Sequence, residues 1–238
     1  MKSNKKQLTI GIPVYNEEEL VAVTIETVYK IAEDILDEYE IIVIDDGSTD
    51  QTYERALKVI SSCGNQIKVF RKKENQGVGA AFHFLLEKAK FPYVCLIPGD
   101  NAYSAEGIRR LFAEVGRAPL VISFRKAMNH TRTKLRYLIS KTATAYLSIL
   151  TGKRIRDAHS LYIFPVDITR SLKVKNASYG YHMEILSRLL RRTDNFYEVP
   201  VDLTPNPDAS SGVMRIKVLF GCAATMLKLI GLRIINKL

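Results

Sequence analysis

Oxygen-bearing side chains follow three apolar, strand-like runs of this 238-residue sequence, at the point where each run ends. They are Tyr15, Asn16 and Glu17 after the first run, Asp45 and Asp46 after the second, and Asp100 and Asn101 after a later one. The carboxyl ends of parallel strands meet at one edge of a sheet, and ligands bind at that edge. The pattern therefore predicts one polar site built from three strand ends.

The turn DDGSTD at residues 45–50 is the most informative of these segments. Its two adjacent carboxylates can accept hydrogen bonds from a base N–H or from ribose hydroxyls. Its glycine permits a tight turn, and the Ser, Thr and Asp that follow are suited to cap the next helix. The segment is thus either a cradle for a nucleoside or an acidic turn that only caps a helix.

Basic residues are concentrated in the second half of the chain. Residues 1–116 hold 14 Lys and Arg against 18 Asp and Glu, a net charge of −4, whereas residues 117–238 hold 21 against 7, a net charge of +14. Residues 115–156 contain ten basic residues and no acid. Such a surface either binds an anion or is a solvated basic face. The cations do not form the aromatic-interleaved platform that stacks nucleic-acid bases, and the acids at the strand ends would repel a phosphate backbone, so nucleic-acid binding is disfavoured.

The elements that must position these residues alternate between strand and helix. The apolar patterns predict an α/β fold with a mostly parallel sheet covered by helices. One domain over residues 1–215 and a C-terminal amphipathic or apolar helix over 216–238 are expected. Predicted strands cover residues 7–14, 40–44, 67–70, 93–97, 120–124, 160–164 and 197–201, and predicted helices cover 17–36, a segment ending at 60, and 79–90, 133–150, 182–192 and 216–235.

Three motifs in this order resemble a known family: IPVYNEE at 12–18, IIVIDDGSTD at 41–50 and NQGVGAA at 75–81. Together they are similar to family 2 glycosyltransferases of the GT-A fold, most closely to the dolichyl-phosphate mannosyltransferase and polyprenyl-phosphate glycosyltransferase group. The resemblance implies helices on both faces of the sheet and an inverting transfer of sugar from a UDP- or GDP-sugar to a polyprenyl phosphate. The nucleotide-sugar residues that it implies are Pro13, Tyr15, Glu17, Ile44, Asp45, Asp46, Gly99 and Asp100.

The fourth strand end departs from the family pattern. Family members commonly carry Asp-x-Asp there to hold Mg²⁺ or Mn²⁺ against the donor diphosphate, and this chain has Pro98-Gly99-Asp100. Because Mg²⁺ usually takes only one or two protein carboxylates, Asp100 and Asn101 remain candidate ligands. Asp100 is also a candidate cap for the helix that follows. GVG at 77–79 is expected to open the third helix and pack it against the sheet.

The basic region resembles the family's clamp for the acceptor phosphate. Arg136 and Ser140 are four residues apart on a predicted helix, with Lys141 beside them and Arg125 at the preceding strand end. These residues are predicted to grip a phosphate through charge-assisted hydrogen bonds. Arg215, in a segment that resembles the family's mobile loop, is a further candidate.

Two later acids are predicted at the reaction centre along with Asp100. Asp157, in RDAHSLYIF, and Glu184, in GYHMEIL, resemble acidic positions of the family. A hydroxyl acceptor needs a general base, whereas an ionised lipid phosphate needs none. The alternatives to a lipid phosphate are a hydroxyl acceptor on a cell-wall glycan or glycolipid, and a non-catalytic module that binds nucleotide or membrane.

The composition and the two ends of the sequence suggest where in the cell the protein is located. Three scattered cysteines and a start without an apolar signal region are typical of a cytosolic protein. The segment VLFGCAATML at 218–227 is too short to span a bilayer, and it either lies in the membrane interface or packs on the domain. We expect a cytoplasmic enzyme held peripherally at the inner face of the cell membrane. The oligomeric state, the sugar and the base stay open.

Overall fold

The computed structural model describes residues 5–61, 63–126, 134–174, 176–178, 180–204 and 216–234. Its strands are β1 (Gln7–Val14), β2 (Glu38–Asp45), β3 (Ile67–Arg71), β4 (Tyr93–Leu96), β5 (Leu120–Arg125), β6 (Tyr162–Pro165) and β7 (Phe196–Val201). Its helices are α1 (Val21–Ile35), α2 (Thr52–Ile60), α3 (Val78–Lys88), α4 (Ala105–Ala113), α5 (Lys134–Thr151), α6 (Val166–Ser171), α7 (Tyr181–Arg192) and α8 (Ile216–Ile234). The predicted α/β class is confirmed.

All seven strands form one sheet in the order β3-β2-β1-β4-β6-β5-β7. β6 is antiparallel to β4 and β5, and the other pairs are parallel. The register places Val14 opposite Asp45, and Asp45 opposite Arg71. The carboxyl ends of β1, β2 and β4 therefore lie side by side, as the sequence predicts.

Apolar side chains fill both faces of the sheet. In β2, Ile41 and Val43 pack in the core that includes residues of α1, α2 and α4. Ile42 and Ile44 belong to the second core, with residues of α3, α5 and α7. This alternation follows from the two-residue period of a strand, and it means that helices cover both faces.

Two elements differ from the predicted ones. Helix α1 begins at Val21 instead of residue 17, because the carbonyl of Glu17 accepts the amides of Leu20 and Val21 in a turn. The short helix α6 was not predicted, since its six residues are too few to show a helical period. Pro165 precedes it with an extended backbone and sets its start.

The C-terminal helix α8 packs on α5 and α7. Its Leu229 is fully buried, and its Lys228 ammonium lies 2.8 Å from the Glu184 carboxylate of α7. The hydroxyl of Tyr146 in α5 donates to the carbonyl of Met226. Among the described helices, none combines the length and the apolarity needed to cross a bilayer.

Candidate functional site

A cavity of about 210 Å³ lies at the carboxyl ends of β1, β2 and β4. Its lining includes these residues predicted for nucleotide-sugar binding: Pro13, Tyr15, Glu17, Asp46, Gly99 and Asp100. The structure therefore brings residues from three separate motifs to one place. The start of α3 and the loop before it supply another wall, which the sequence did not assign to the site: Asn75, Gly77, Val78 and Ala81.

Two loops at this edge are joined by hydrogen bonds from backbone amides to side-chain oxygens. The amide of Asn16 donates to Oγ of Ser48 at 3.0 Å, and the amide of Thr49 donates to Oδ1 of Asn16 at 2.9 Å. The amide of Glu17 donates to Oγ1 of Thr52 at 2.8 Å. Ser48 and Thr52 thus fix the loop after β1, whereas the N-cap of α2 is Gln51, without a capping side-chain hydrogen bond.

Asp46 organises the loop that leads to α3. Its Oδ2 accepts the amides of Gln76 and Gly77 at 3.1 and 2.6 Å. Its Oδ1 lies 3.1 Å from the ammonium of Lys72, without the alignment of a hydrogen bond. One carboxylate therefore contributes to the cavity and holds one of its walls.

Asp45 and Ile44 do not belong to the cavity lining. Asp45 is fully buried, its Oδ1 accepts the amide of Ser48 at 2.9 Å, and its Oδ2 lies 3.2 Å from Nε of Arg71 without hydrogen-bond alignment. The side chain of Ile44 is fully buried in the second core, which corrects its assignment to the nucleotide site. An apolar strand residue gains more from core packing than from a polar cavity.

Arg71 supports the turn beside the cavity, a structural role that sequence reasoning missed. Its Nη2 donates to the carbonyl of Ser48 at 3.0 Å, and its guanidinium lies over the ring of Tyr53 at 4.8 Å. Its position at the end of β3, opposite Asp45 in the register, was the signal that could have identified it.

A glycine is needed at position 79 because the segment 176–178 passes close to α3 there. A Cβ at this position would lie 2.4 Å from the carbonyl oxygen of Ala177. Gly77, at the start of α3, has a φ of 85°, which favours glycine. As expected, the motif opens α3, which packs on the sheet through Phe82 and Leu85, and the 176–178 segment additionally passes close to Gly79.

Asp100 does not cap α4. The cap is Ser104, whose Oγ accepts the amide of Gly107 at 3.0 Å. Asp100 accepts the amide of Ala102 through Oδ1 at 3.2 Å and lines the cavity, while Asn101 has a left-handed φ of 51°. Burial raises the pKa of Asp100 above its ordinary value. Its carboxylate is therefore partly desolvated and faces the cavity.

Glu17 and Asp100 form a pair of neighbouring acids. Burial, followed by the negative charges of Asp100 and Asp50, raises the pKa of Glu17 to about 7. A cation bound beside the two would relieve this repulsion. Within the described residues no three His, Cys, Asp or Glu side chains cluster as a metal site, so the acidic donors here number at most two.

Arg125 and Ser140, predicted for the phosphate clamp, and Asp157, predicted for the reaction centre, lie together in one buried network. Nε and Nη2 of Arg125 donate to the two carboxylate oxygens of Asp157 at 2.6 and 2.8 Å, and Nη2 also donates to Oγ of Ser140 at 3.0 Å. The two charged side chains are 2% and 1% exposed. Burial by itself would raise the pKa of Asp157, but hydrogen bonding and the charge of Arg125 outweigh it and lower the pKa. Asp157 thus neutralises Arg125, which argues against a free base and against an unpaired phosphate ligand.

Of the other residues predicted for the clamp, Lys141 alone has a described side chain. Lys141 is exposed, whereas Ser140 beside it is buried, because consecutive helical residues point about 100° apart. The structure therefore does not place Lys141 with Ser140. Arg136 lies in α5, but its side chain is outside the described part of the structure, and Arg215 is outside the described residues.

Glu184 is a structural anion. Its fully buried carboxylate accepts Nη2 of Arg188 at 2.7 Å and both of its oxygens accept Nζ of Lys228, at 2.9 and 2.8 Å. Two cations hold this carboxylate between α7 and α8. This geometry corrects its assignment as a general base, since an acceptor would have to displace both partners.

The chain is similar to known proteins in sequence and in structure. The family model described as glycosyl transferase family 2 matches residues 9–170. An undecaprenyl-phosphate 4-deoxy-4-formamido-L-arabinose transferase of Photorhabdus laumondii is 26% identical over 64% of this chain and 46% of the relative. A dodecaprenyl-phosphate galacturonate synthase of Rhizobium johnstonii is 26% identical over 71% of this chain and 50% of the relative. The chain thus spans half the length or less of these relatives.

A dolichyl-phosphate beta-glucosyltransferase of Mus musculus is 30% identical over 46% of this chain and 36% of the relative. Among solved structures, glucosyl-3-phosphoglycerate synthase from Mycobacterium tuberculosis in complex with UDP aligns over 97% of this chain and 82% of that one. The TM-score is 0.73 at 19% identity, which establishes a shared fold.

Proposed function

The chain belongs to glycosyl transferase family 2 and has the GT-A fold, and we propose that it transfers a sugar from a UDP- or GDP-sugar to a polyprenyl phosphate with inversion. The observation that carries the proposal is the cavity in which Asp46, Glu17 and Asp100 meet at the carboxyl ends of three strands. The names of the relatives, which are polyprenyl- and dolichyl-phosphate sugar transferases, support the acceptor class.

The nucleoside of the donor binds near the ends of β1 and β2. Oδ1 of Asp46, a residue of the cavity lining, is a buried acceptor that lies 3.1 Å from the Lys72 ammonium but lacks a hydrogen bond. A buried acceptor without a donor is costly, so base N–H or ribose O–H groups are suitable partners. Tyr15, 38% exposed at the rim, offers a ring for stacking, and Pro13 lines the same wall.

The diphosphate lies towards Asp100. A divalent cation, Mg²⁺ or Mn²⁺, fits a donor set of the partly desolvated Asp100 carboxylate, the Asn101 amide oxygen, diphosphate oxygens and water. Such a cation would neutralise the negative charge that develops on the leaving diphosphate. The replacement of the first family Asp by Pro98 predicts weaker metal binding than a two-aspartate site gives.

A phosphate acceptor is consistent with the engagement of the two later acids that were candidate bases. Asp157 is paired with Arg125, and Glu184 is paired with Arg188 and Lys228. A hydroxyl acceptor would need a base to remove its proton, whereas an ionised phosphate oxygen attacks the anomeric carbon directly. One C–O bond forms as the bond to the diphosphate breaks, and the configuration inverts. The products are a polyprenyl-phosphate sugar and a nucleoside diphosphate.

Part of the predicted phosphate clamp is retained in this proposal. The ten basic residues and absent acids of residues 115–156 supply a positive field for an anionic acceptor, with Arg136, Lys141 and Arg215 as the proposed contacts. Arg125 and Ser140 do not contact the acceptor; they stabilise the start of this basic region through their buried hydrogen bonds. The reaction is proposed to take place on the cytoplasmic face of the membrane, where a polyprenyl acceptor resides.

A donor screen followed by a transfer assay tests the function. Thermal shift with UDP- and GDP-sugars, each with and without Mn²⁺, identifies the donor, because a ligand of the native state raises the apparent stability. Radiolabelled sugar from that donor is then offered to a polyprenyl phosphate and to the free polyprenol. Transfer to the phosphate alone is expected, and transfer to the alcohol alone would refute the acceptor class.

Matched variants connect the activity to the cavity. Asp46→Asn is expected to weaken donor binding, since it loses charge at the nucleoside site. Glu54→Gln, on the exposed side of α2, removes a carboxylate outside the cavity and serves as the control. Equal donor affinity in the two variants would place the nucleotide elsewhere.

A further inference from the structure

Large apolar side chains are exposed on two helices that pack against each other. Among the described residues, eight large apolar side chains are exposed, and half of these belong to α5 and α8. They are Leu138, Ile149, Leu227 and Ile230, which are 62%, 78%, 71% and 42% exposed. The other four are distributed over separate parts of the fold, so this is the one place in the described chain where such residues concentrate.

Hydrogen bonds join the two helices near Ile149 and near Leu227. Nη1 of Arg233 donates to the carbonyl of Ile149 at 3.1 Å, and Tyr146 donates to the carbonyl of Met226, next to Leu227. Leu147 of α5 and Leu229 of α8 are fully buried in the same core. Each helix therefore anchors one face in the domain and turns another, apolar face outwards.

The charges on both helices have one sign. Residues 134–151 contain Lys134, Arg136 and Lys141, and residues 216–234 contain Lys217, Lys228 and Arg233, without Asp or Glu in either range. Lys228 is engaged with Glu184, and Lys141 is exposed. Among the described side chains of the two helices, the cations Lys141, Lys228 and Arg233 are exposed. Exposed apolar side chains accompanied by exposed cations suit the interface of an anionic bilayer, where apolar groups enter the acyl boundary and cations contact headgroups. A second copy of the same face would bring like charges together.

We propose that the surface formed by α5 and α8, named here the α5–α8 face, docks the protein on an anionic lipid bilayer, with Leu138, Ile149, Leu227 and Ile230 entering the interface. The inference rests on the proposed function in one respect, since a polyprenyl phosphate presents its headgroup at such a surface. It goes further by assigning the contact to two helices together, whereas the sequence pointed to the C-terminal segment alone. Docking through this face also requires α8 to stay packed on the domain.

The absence of tryptophan from the sequence permits a direct optical test. Ile149→Trp places a reporter on the α5–α8 face, and Leu57→Trp places one on α2, which packs on the opposite face of the sheet. Vesicles of phosphatidylcholine with phosphatidylglycerol should shift the emission of the first variant to the blue and leave that of the second unchanged. An equal response of the two reporters, or no response of the first, would overturn the proposal.

Vesicle flotation measures the affinity. Leu227→Asp and Ile149→Asp should each weaken binding to the anionic vesicles about tenfold, since apolar burial drives interfacial binding. Leu57→Asp, also at an exposed position, is the matched control and should bind like the wild type. Binding that is equal on pure phosphatidylcholine, or unaffected by the two variants, would contradict the inference. A dimer of the wild type that Ile149→Asp separates would reassign the face to self-association.

The thermal shift produced by the donor nucleotide separates this proposal from the proposed function. If the variants lose vesicle binding but keep the donor shift, their fold is intact and the docking inference holds. If the wild type binds donor but not vesicles, only the docking inference fails. If it binds vesicles but no nucleotide sugar, the proposed function fails and the α5–α8 face stands.

Discussion

The buried pair of Arg125 and Asp157 gives a prediction that separates a structural role from a role in acceptor binding. Asp157→Asn keeps the shape of the side chain but leaves the charge of Arg125 without an anion. Arg125 is 5% exposed, so water cannot replace the lost partner. Removing one member of a buried ion pair costs about 3–5 kcal/mol. The variant should therefore be less stable by about that amount, a large part of the ~5–15 kcal/mol that a domain has.

Urea unfolding at pH 7, followed by circular dichroism, measures the loss. The exposed pair of Glu26 and Lys30, whose charged atoms are 3.8 Å apart, is the control, and Glu26→Gln should cost less than about 0.5 kcal/mol. Replacing both members by apolar residues, in Arg125→Met with Asp157→Leu, should restore part of the stability, because no unpaired charge is left. The coupling between the two positions is obtained from the double-mutant cycle.

The pH dependence of the free energy of unfolding is a second test of the same pair. Because the folded-state pKa of Asp157 is lowered, its contribution to stability is present above the ordinary pKa of about 3.9 and is lost as the pH falls through the folded value. Wild type and Asp157→Asn should thus differ at pH 7 and converge in acid. A variant of nearly wild-type stability, with a raised KM for acceptor, would refute this reasoning and return Arg125 to direct phosphate binding.

Three further predictions concern the cavity. Glu17→Gln should stabilise the metal-free protein by about 1 kcal/mol at pH 8 and have no effect at pH 4, in paired urea titrations. A carboxyl whose pKa is raised from 4.5 to about 7 costs stability as the pH rises between these values, and its half exposure reduces the cost. Gly79→Ala should lose about 1–3 kcal/mol by overpacking against Ala177, whereas Gly231→Ala, with open space around it, should be neutral or stabilising; thermal melts giving equal effects would contradict this. Asp100→Ala should abolish the extra thermal shift that Mn²⁺ adds to nucleotide binding, and a retained Mn²⁺ effect would remove Asp100 from the metal site.

Much of the fold could be predicted because its signals are local. Apolar runs of a few residues mark β1, β2 and β4, and helical spacing marks α1 and α7. The seven predicted strands are present, with ends within two residues of the predicted ones. The topology of parallel strands then brings their polar ends together, which is why three motifs far apart in sequence correctly indicated one cavity.

The different roles of the neighbouring acids Asp45 and Asp46 could not be predicted. Asp45 and Asp46 are adjacent, yet one is sealed against Arg71 and Ser48 while the other lines the cavity. The difference arises where the chain leaves β2 and the backbone direction changes. Sequence spacing gives the type of residue at a strand end, but the direction of its side chain depends on the turn that follows.

The sequence by itself determined the α/β class, the family motifs and the strand ends that carry carboxylates, since each depends on residue type and short-range period. Only the tertiary structure decided which charges are free. Arg125 pairs with Asp157, which is 32 residues away in the sequence, and Glu184 pairs with Lys228, which is 44 residues away. A charge run or an acid at a helix start looks the same in sequence whether its partner is solvent, a substrate or a distant side chain. Burial determines which charged side chains are paired, because a charge removed from water needs an opposite charge within the fold.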